Sequence, residues 1–239
     1  MRVDGRKPDQ MRPVTISTGY LKTAEGSALI EVGNTRVLCA ATVESVVPPW
    51  LRGGGKGWVT AEYAMLPRAT STRTAREVTK GRQSGRTLEI QRLIGRALRS
   101  IIDMNLLGER TVILDCDVIQ ADGGTRTAAI TGAYVAMVSA LRAYMDAGGL
   151  KQWPLRDAVA ATSVGTVGGK LLLDLCYEED ANADVDLNLV MTGSGRFVEL
   201  QATAEKMAFD DAQLSGMLSM GRTGIESLLE IQTAAIGRA

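Results

Sequence analysis

The chain has 239 residues, 27 basic and 27 acidic side chains, 45% hydrophobic residues and no histidine. Such a composition is that of an ordinary globular protein with length enough for a large core, and the missing histidine excludes Ser-His-Asp and Cys-His hydrolase chemistry and every His-ligated metal site. The zero net charge hides a segregation: residues 52–110 carry twelve Lys and Arg against five Asp and Glu, whereas residues 170–239 carry five against twelve, so one face suits a polyanion and another a cation.

The N-terminal Met1-Arg2-Val3-Asp4-Gly5-Arg6-Lys7 has no apolar signal core, and no run of 18 apolar residues occurs. Cys39, Cys116 and Cys176 each sit in an apolar, strand-like run with no Cys-x-x-Cys pairing. Buried free thiols in a reducing compartment are expected, with the cytoplasm as the location. Residues 12–47 read as strands, with 28–32 and 35–40 forming a hairpin closed by Gly33-Asn34. Pro48-Pro49-Trp50 and Gly53-Gly54-Gly55 interrupt the pattern, and 58–66 resume it. Residues 68–82 form an exposed basic loop, either merely solvated or a grip for a polyanion.

Ser84 is placed to cap a helix in which Ile90, Leu93, Ile94, Ala97, Leu98, Ile101 and Ile102 recur at helical spacing. Arg92, Arg96 and Arg99 fall on its wet face. Arg86 lies one turn before Ile90, on the core-facing side, and must snorkel, find a carboxylate or meet an anion.

The apolar run 111–120 predicts a strand and the Ala-rich stretch 127–144 a buried helix. Between them lies Ala121-Asp122-Gly123-Gly124-Thr125-Arg126-Thr127. A Gly-Gly turn at a helix start leaves backbone N–H groups free at the positive end of the dipole. Thr125 adds a hydroxyl and Arg126 a planar charged fork. The stretch is therefore either a phosphate cradle or a strand-to-helix turn capped by Asp122 or Thr125.

Ala147-Gly148-Gly149 ends that helix and Trp153-Pro154 begins a linker. Strands follow at 158–167, 171–177, 185–190 and 197–203. In the third, Val185, Leu187 and Leu189 share one face and Asp186 and Asn188 the other. The end is helical, with Gly216, Gly221 and Gly224 loosening its middle. Both halves run from hairpins to helices, an α+β layout. Glu178-Glu179-Asp180, with Asp186 beyond, is either an acidic hairpin turn or a hard-cation site; without His or a Cys cluster the occupant is Mg²⁺ or Mn²⁺. With two Phe, three Trp and five Tyr, extensive base-stacking platforms are not expected.

Several of these stretches resemble bacterial ribonuclease PH. They are Asp4-Gly5-Arg6, Gly57-Trp58-Val59-Thr60-Ala61-Glu62-Tyr63, Leu66-Pro67-Arg68-Ala69-Thr70, Gln83-Ser84-Gly85-Arg86-Thr87, Glu89-Ile90-Gln91-Arg92-Leu93-Ile94-Gly95-Arg96, Asp115-Cys116-Asp117-Val118 and Gln120 to Thr127. The likeness runs essentially end to end. It implies a phosphate-dependent 3′→5′ exoribonuclease that trims tRNA precursors and other RNA 3′ ends. The implied fold is a ribosomal-protein-S5-domain-2-like unit, two β-hairpin-plus-helix halves in a single catalytic domain over residues 1–239. The implied assembly is a homohexamer, a trimer of dimers. Position by position, Arg86, Gly124, Thr125 and Arg126 correspond to phosphate-binding residues, with inorganic phosphate as co-substrate. Asp180 and Asp186 correspond to the metal-binding carboxylates and, with Arg126, to the catalytic set. Arg68, Arg73 and Arg76 correspond to the tRNA-gripping loop. Asn188 stands where the related polynucleotide phosphorylase has Lys. Ala202 and Lys206 stand where the family usually has Gly, which puts a turn there in question.

Overall fold

The computed structural model describes residues 2–206 and 208–237, and at Lys80 the backbone alone. In the first half, alternating apolar residues form β1 (Val14–Thr18), β2 (Gly26–Val32), β3 (Thr35–Glu44), β4 (Trp58–Met65) and β5 (Thr111–Gln120). They make one sheet in the order β1-β2-β3-β5-β4, antiparallel except where β4 runs parallel to β5. The predicted hairpin is β2–β3, closed at Gly33-Asn34. The second half contributes β6 (Val159–Val167), β7 (Lys170–Leu173), β8 (Val185–Thr192) and β9 (Phe197–Ala204), an antiparallel sheet in the order β7-β6-β8-β9. The run predicted as strand to residue 177 stops at Leu173; Cys176 instead caps a short helix, and all three cysteines are free and buried. Cys39 and Cys116 are direct partners across β3 and β5.

Among the described residues five α-helices accompany these sheets: α1 (Gly85–Arg99), α2 (Met104–Leu107), α3 (Thr125–Asp146), α4 (Tyr177–Ala181) and α5 (Asp211–Ile236). Ser84 caps α1 by accepting from the Thr87 N–H at 3.1 Å. Arg92 and Arg96 are exposed as expected. Arg99 departs from the wet face: its guanidinium lies 4.6 Å from the Trp58 ring centroid and donates to Val59 O, because a flat cation gains from an aromatic face beside it.

Helix α3 is long and apolar enough to cross a membrane by length and composition, but 72% of that window is buried within the fold. A helix apolar on all sides is a core helix when protein surrounds it. It packs on β2, β3 and β5 from the first sheet and on β6 from the second. The main core accordingly includes Val159, Ala161 and Val190 from the second half. Gly26 allows the tight approach of β2, since a Cβ there would collide with backbone atoms of Ala136 and Ala140 in α3.

Helix α5 runs unbroken through its glycines, contrary to the expected loosening. A Cβ at Gly221 would lie 2.6 Å from the Leu189 side chain and one at Gly224 2.9 Å from Leu173. Those glycines bring the helix close to the second sheet; they do not bend it. Gln232, 1% exposed, ties α5 inward by donating to Thr131 O and Val159 O, each at 3.0 Å.

Gly26→Ala is expected to lower stability by about 3 kcal/mol, because neither backbone can retreat without repacking the core. Gly85→Ala, where a Cβ meets nothing within 4 Å, is expected to be neutral or stabilising by up to ~1 kcal/mol. Urea denaturation of the two variants measures both.

Candidate functional site

The cleft is built where the first turn of α3 meets α4 and the polar face of the second sheet. Gly123 and Gly124 have φ of +74° and +66°, the left-handed region that glycine enters without a Cβ penalty. A Cβ at Gly123 would sit 2.6 Å from Leu175 O, so only glycine lets this loop lie against the backbone leading into α4. Gly124 is the N-cap of α3 and no side chain caps the helix. The capped-turn alternative is thereby excluded: Asp122 accepts from the Tyr177 N–H and from Asn34, both at 3.2 Å. Thr125 accepts from the Tyr63 hydroxyl at 2.9 Å. The helix start is left open to an anion.

Buried arginines from the N-terminal segment hold the loop and α4 together. Arg12 meets Asp174 with two N–H donors at 2.9 and 2.7 Å, and its Nη1 donates to Asp122 O. Burial alone would lower the Arg12 pKa, but the hydrogen bonds and charge of Asp174 raise it overall. Arg2 grips Glu179 of α4 at 2.8 and 2.7 Å and also donates to Asp174 O at 2.9 Å. Burial would raise the Glu179 carboxyl, and the Arg2 pairing holds it below its ordinary value instead. Glu178-Glu179-Asp180 is therefore a helical turn and not a hairpin turn. Its middle acid is structural, which leaves Asp180 facing the cleft.

Arg86, Gly124, Thr125, Arg126, Asp180 and Asp186 all line one cleft of ≈ 550 Å³. Arg86 is exposed and not core-facing, and among the described residues it makes no hydrogen bond or ion pair. Arg126 is oriented by Gln201 Oε1 at 2.7 Å and more loosely by Glu89 at 3.4 Å. Asp186 and Asn188 share a face of β8 as predicted, opposite Thr203 and Gln201 of β9. Burial raises the pKa of Asp180, and the charge of Glu205 adds to this while Arg86 and Arg126 oppose it. Asp186 is likewise raised by burial and then by Asp180 and Glu205.

Two carboxylates pushed toward protonation by burial and by neighbouring acids, Glu205 acting on both and Asp180 on Asp186, are a donor set that a hard cation would relieve. No group of three or more His, Cys, Asp or Glu that could hold a metal occurs among the described residues. The pair thus fits an ion that keeps waters and shares substrate oxygens, as Mg²⁺ does.

The structure does not bring Arg68, Arg73 and Arg76 into this cleft. All three are exposed, and Arg76 lines a neighbouring groove of ≈ 880 Å³ that shares Arg86 with it. Glu77 fastens this loop to the start of α1 by accepting from Ser84 N–H and Thr87 Oγ1. Ala202 lies within β9, paired with Leu187. Lys206, on the cleft rim, donates to Asn182 O at 2.7 Å and meets Asp184 at 3.2 Å. Sequence reasoning missed Gln201, Glu89, Tyr63 and the N-terminal arginines. Strand parity with Thr203 marked Gln201, and the i+3 spacing from Arg86 marked Glu89.

Residues 10–142 match the 3′ exoribonuclease family, domain 1, and residues 157–224 match its domain 2. The chain is 67% identical to a ribonuclease PH of Solibacter usitatus over 99% of both chains. It is 60% identical to that of Moorella thermoacetica, over 99% of this chain and 95% of the relative. Among solved structures it is similar to rice Rrp46, with a TM-score of 0.80 and 19% identity over 98% of this chain and 100% of the other. It is also similar to a chain of the Archaeoglobus fulgidus exosome with RNA bound to the active site, with a TM-score of 0.81 and 22% identity over 96% and 91%. The architecture is the S5-domain-2-like fold.

Arg12→Met should cost about 3 kcal/mol, because it leaves the buried Asp174 carboxylate with only the looser Arg6 pairing at 3.4 Å. Equilibrium unfolding in denaturant measures the loss.

Proposed function

The chain belongs to the ribonuclease PH family of 3′ exoribonucleases, and on that footing we propose how its cleft cuts RNA. The enzyme is a phosphorolytic 3′→5′ exoribonuclease. Inorganic phosphate takes the part that water takes in hydrolysis. A phosphate oxygen bonds to the phosphorus of the last phosphodiester, the bond from that phosphorus to the preceding 3′ oxygen breaks, and the proton carried by phosphate ends on that oxygen. A nucleoside diphosphate leaves an RNA one residue shorter. One phosphoester replaces another, so added nucleoside diphosphate extends the chain in reverse.

In this reading Arg86, Thr125, Arg126 and the backbone N–H groups after Gly124 hold the attacking phosphate. The observation that carries it is the convergence on one cleft of an uncapped helix start, a guanidinium with no hydrogen bond or ion pair among the described residues and a second guanidinium preset by Gln201. Phosphate is anionic at neutral pH and needs positioning and charge screening more than a strong base, which suits a chain with no histidine. Asp180 and Asp186 would hold Mg²⁺ or Mn²⁺. When bound, that ion supplies charge neutralisation for the scissile phosphodiester and the leaving oxygen.

The substrates are tRNA precursors and other RNA 3′ ends in the cytoplasm, where the three free thiols stay reduced. Arg68, Arg73 and Arg76 grip the RNA body from the exposed loop. The proposed assembly is a homohexamer, a trimer of dimers, a reading supported by the likeness of the fold to chains of archaeal exosomes.

With a 3′-extended RNA, nucleoside diphosphate should appear only when phosphate is present; monophosphate released without phosphate would refute the reading. Arg126→Ala should slow that release at least ~100-fold, the scale of losing one preset charge-stabilising donor, while RNA affinity stays within about threefold. A matching loss of RNA binding would move Arg126 out of the phosphate site.

Arg68→Ala with Arg73→Ala should weaken tRNA binding. It should reduce the slope of log affinity against log salt by about 1.4 to 1.8, the value for two lost phosphate contacts. Short oligonucleotides should be spared, and an equal loss for them would place the loop at the active site.

A further inference from the structure

We propose that Tyr63 is a positioning residue that fixes the Thr125 hydroxyl as a hydrogen-bond donor to bound phosphate. The inference rests on the phosphate reading of the cleft and assigns a role to a residue on a different strand. Tyr63 lies on β4 with only 3% of its surface exposed. Its one side-chain hydrogen bond among the described residues runs from its hydroxyl to Thr125 Oγ1, at 2.9 Å.

A hydroxyl carries a single proton. A buried phenol must place its proton on an acceptor or lose the cost of desolvating it. Thr125 Oγ1 is the acceptor in reach, so the bond has one direction. With that lone pair filled, the proton of Thr125 itself has to point elsewhere. The other threonines of this helix show the usual outlet: Thr127 donates to Gly124 O and Thr131 to Thr127 O, each at 2.9 Å. Thr125, in the first turn, makes no such bond to the preceding backbone among the described residues, and it lines the cleft. Its proton is therefore left to an acceptor arriving from the cleft.

A phosphate oxygen, flanked by Arg86 and Arg126, is that acceptor. Burial also raises the phenol pKa of Tyr63, against the lowering by its bond to Thr125 and by the two arginines, so it remains a donor through the neutral range. The contact has a structural side effect as well. It ties β4, at the far end of the first sheet, to the N-terminus of α3.

The test is a double-mutant cycle of Tyr63→Phe and Thr125→Val, read on phosphate-dependent release of nucleoside diphosphate from a 3′-extended RNA. Tyr63→Phe should raise the KM for phosphate roughly three- to tenfold, the worth of one oriented hydrogen bond, with the KM for RNA within about twofold. Thr125→Val should raise the phosphate KM by at least as much, and Tyr63→Phe should then add nothing. Thr125→Ser, which keeps the hydroxyl, should restore the response to Tyr63→Phe.

The same rise from Tyr63→Phe in both backgrounds, or a parallel rise in the KM for RNA, would overturn the role and leave Tyr63 a packing residue. A silent Tyr63→Phe beside an impaired Thr125→Val would also overturn it while sparing the phosphate site. An unchanged phosphate KM in Thr125→Val would instead remove Thr125 from that site, and the parent reading would fall with the proposal. Melting temperatures of all variants separate misfolding from these outcomes, and Tyr63→Phe keeps the ring that fills the core.

Discussion

Two buried guanidinium–carboxylate pairs, Arg12 with Asp174 and Arg2 with Glu179, hold the working parts of this protein in register. Each ion costs several kcal/mol to remove from water, and such a pair is tolerated only when its remaining polar atoms are also satisfied. Here they are. Arg12 spends its other N–H groups on the carbonyls of the glycine loop, Arg2 on those of residues 173 and 174, and Asp174 also accepts from the Arg12 backbone N–H at 2.8 Å. A third arginine, Arg6, reaches Asp174 O at 3.0 Å. The N-terminal dozen residues thus act as a strap. They fix the distance between the uncapped start of α3 and the helical turn that presents Asp180.

Helix α3 explains why those two features meet at all. Apolar on every side, it has to be enclosed, and both sheets supply the enclosure. Its N-terminus consequently emerges at the seam between them. The positive end of its dipole opens onto the polar face of β8, where Asp186 and Asn188 point away from the core formed by Leu187 and Leu189. Glycines at Gly26 and Gly132 let β2 and β3 pack close to the helix. Widening that contact would shift the cleft as well as loosen the core.

The cleft combines charges that its own fold leaves in tension. Burial raises the proton affinity of both Asp180 and Asp186, and the charge of Asp180 adds to the rise at Asp186; Arg126 opposes both and Arg86 opposes that of Asp180, without forming direct pairs with them. Opposed, incompletely neutralised charges in a partly desolvated pocket are what the proposed phosphate and cation would meet. Arg126 reaches this state because Gln201 holds it with a neutral acceptor. The guanidinium is aimed, and its one ion pair, to Glu89 at 3.4 Å, is a loose one.

The amino-acid sequence by itself determined what is local. The β2–β3 hairpin with its Gly33-Asn34 turn, strand β5 to the residue, the Ser84 cap of α1 and the alternation along β8 all follow from spacing and turn chemistry, which act between neighbours in the chain. The open helix start after Gly123-Gly124 was legible for the same reason, because a Gly-Gly turn before a helix has one electrostatic character wherever it occurs. What only the tertiary structure decided depends on distant partners. Glu179 and Asp180 are adjacent in the chain, yet one is consumed by Arg2 and the other is left for chemistry; no local signal separates them. Gly221 and Gly224 read as loosening until Leu189 and Leu173 are seen against them. Arg86 read as core-facing because helical periodicity reports an angle about an axis and is silent on whether neighbouring elements extend far enough to cover the first turn.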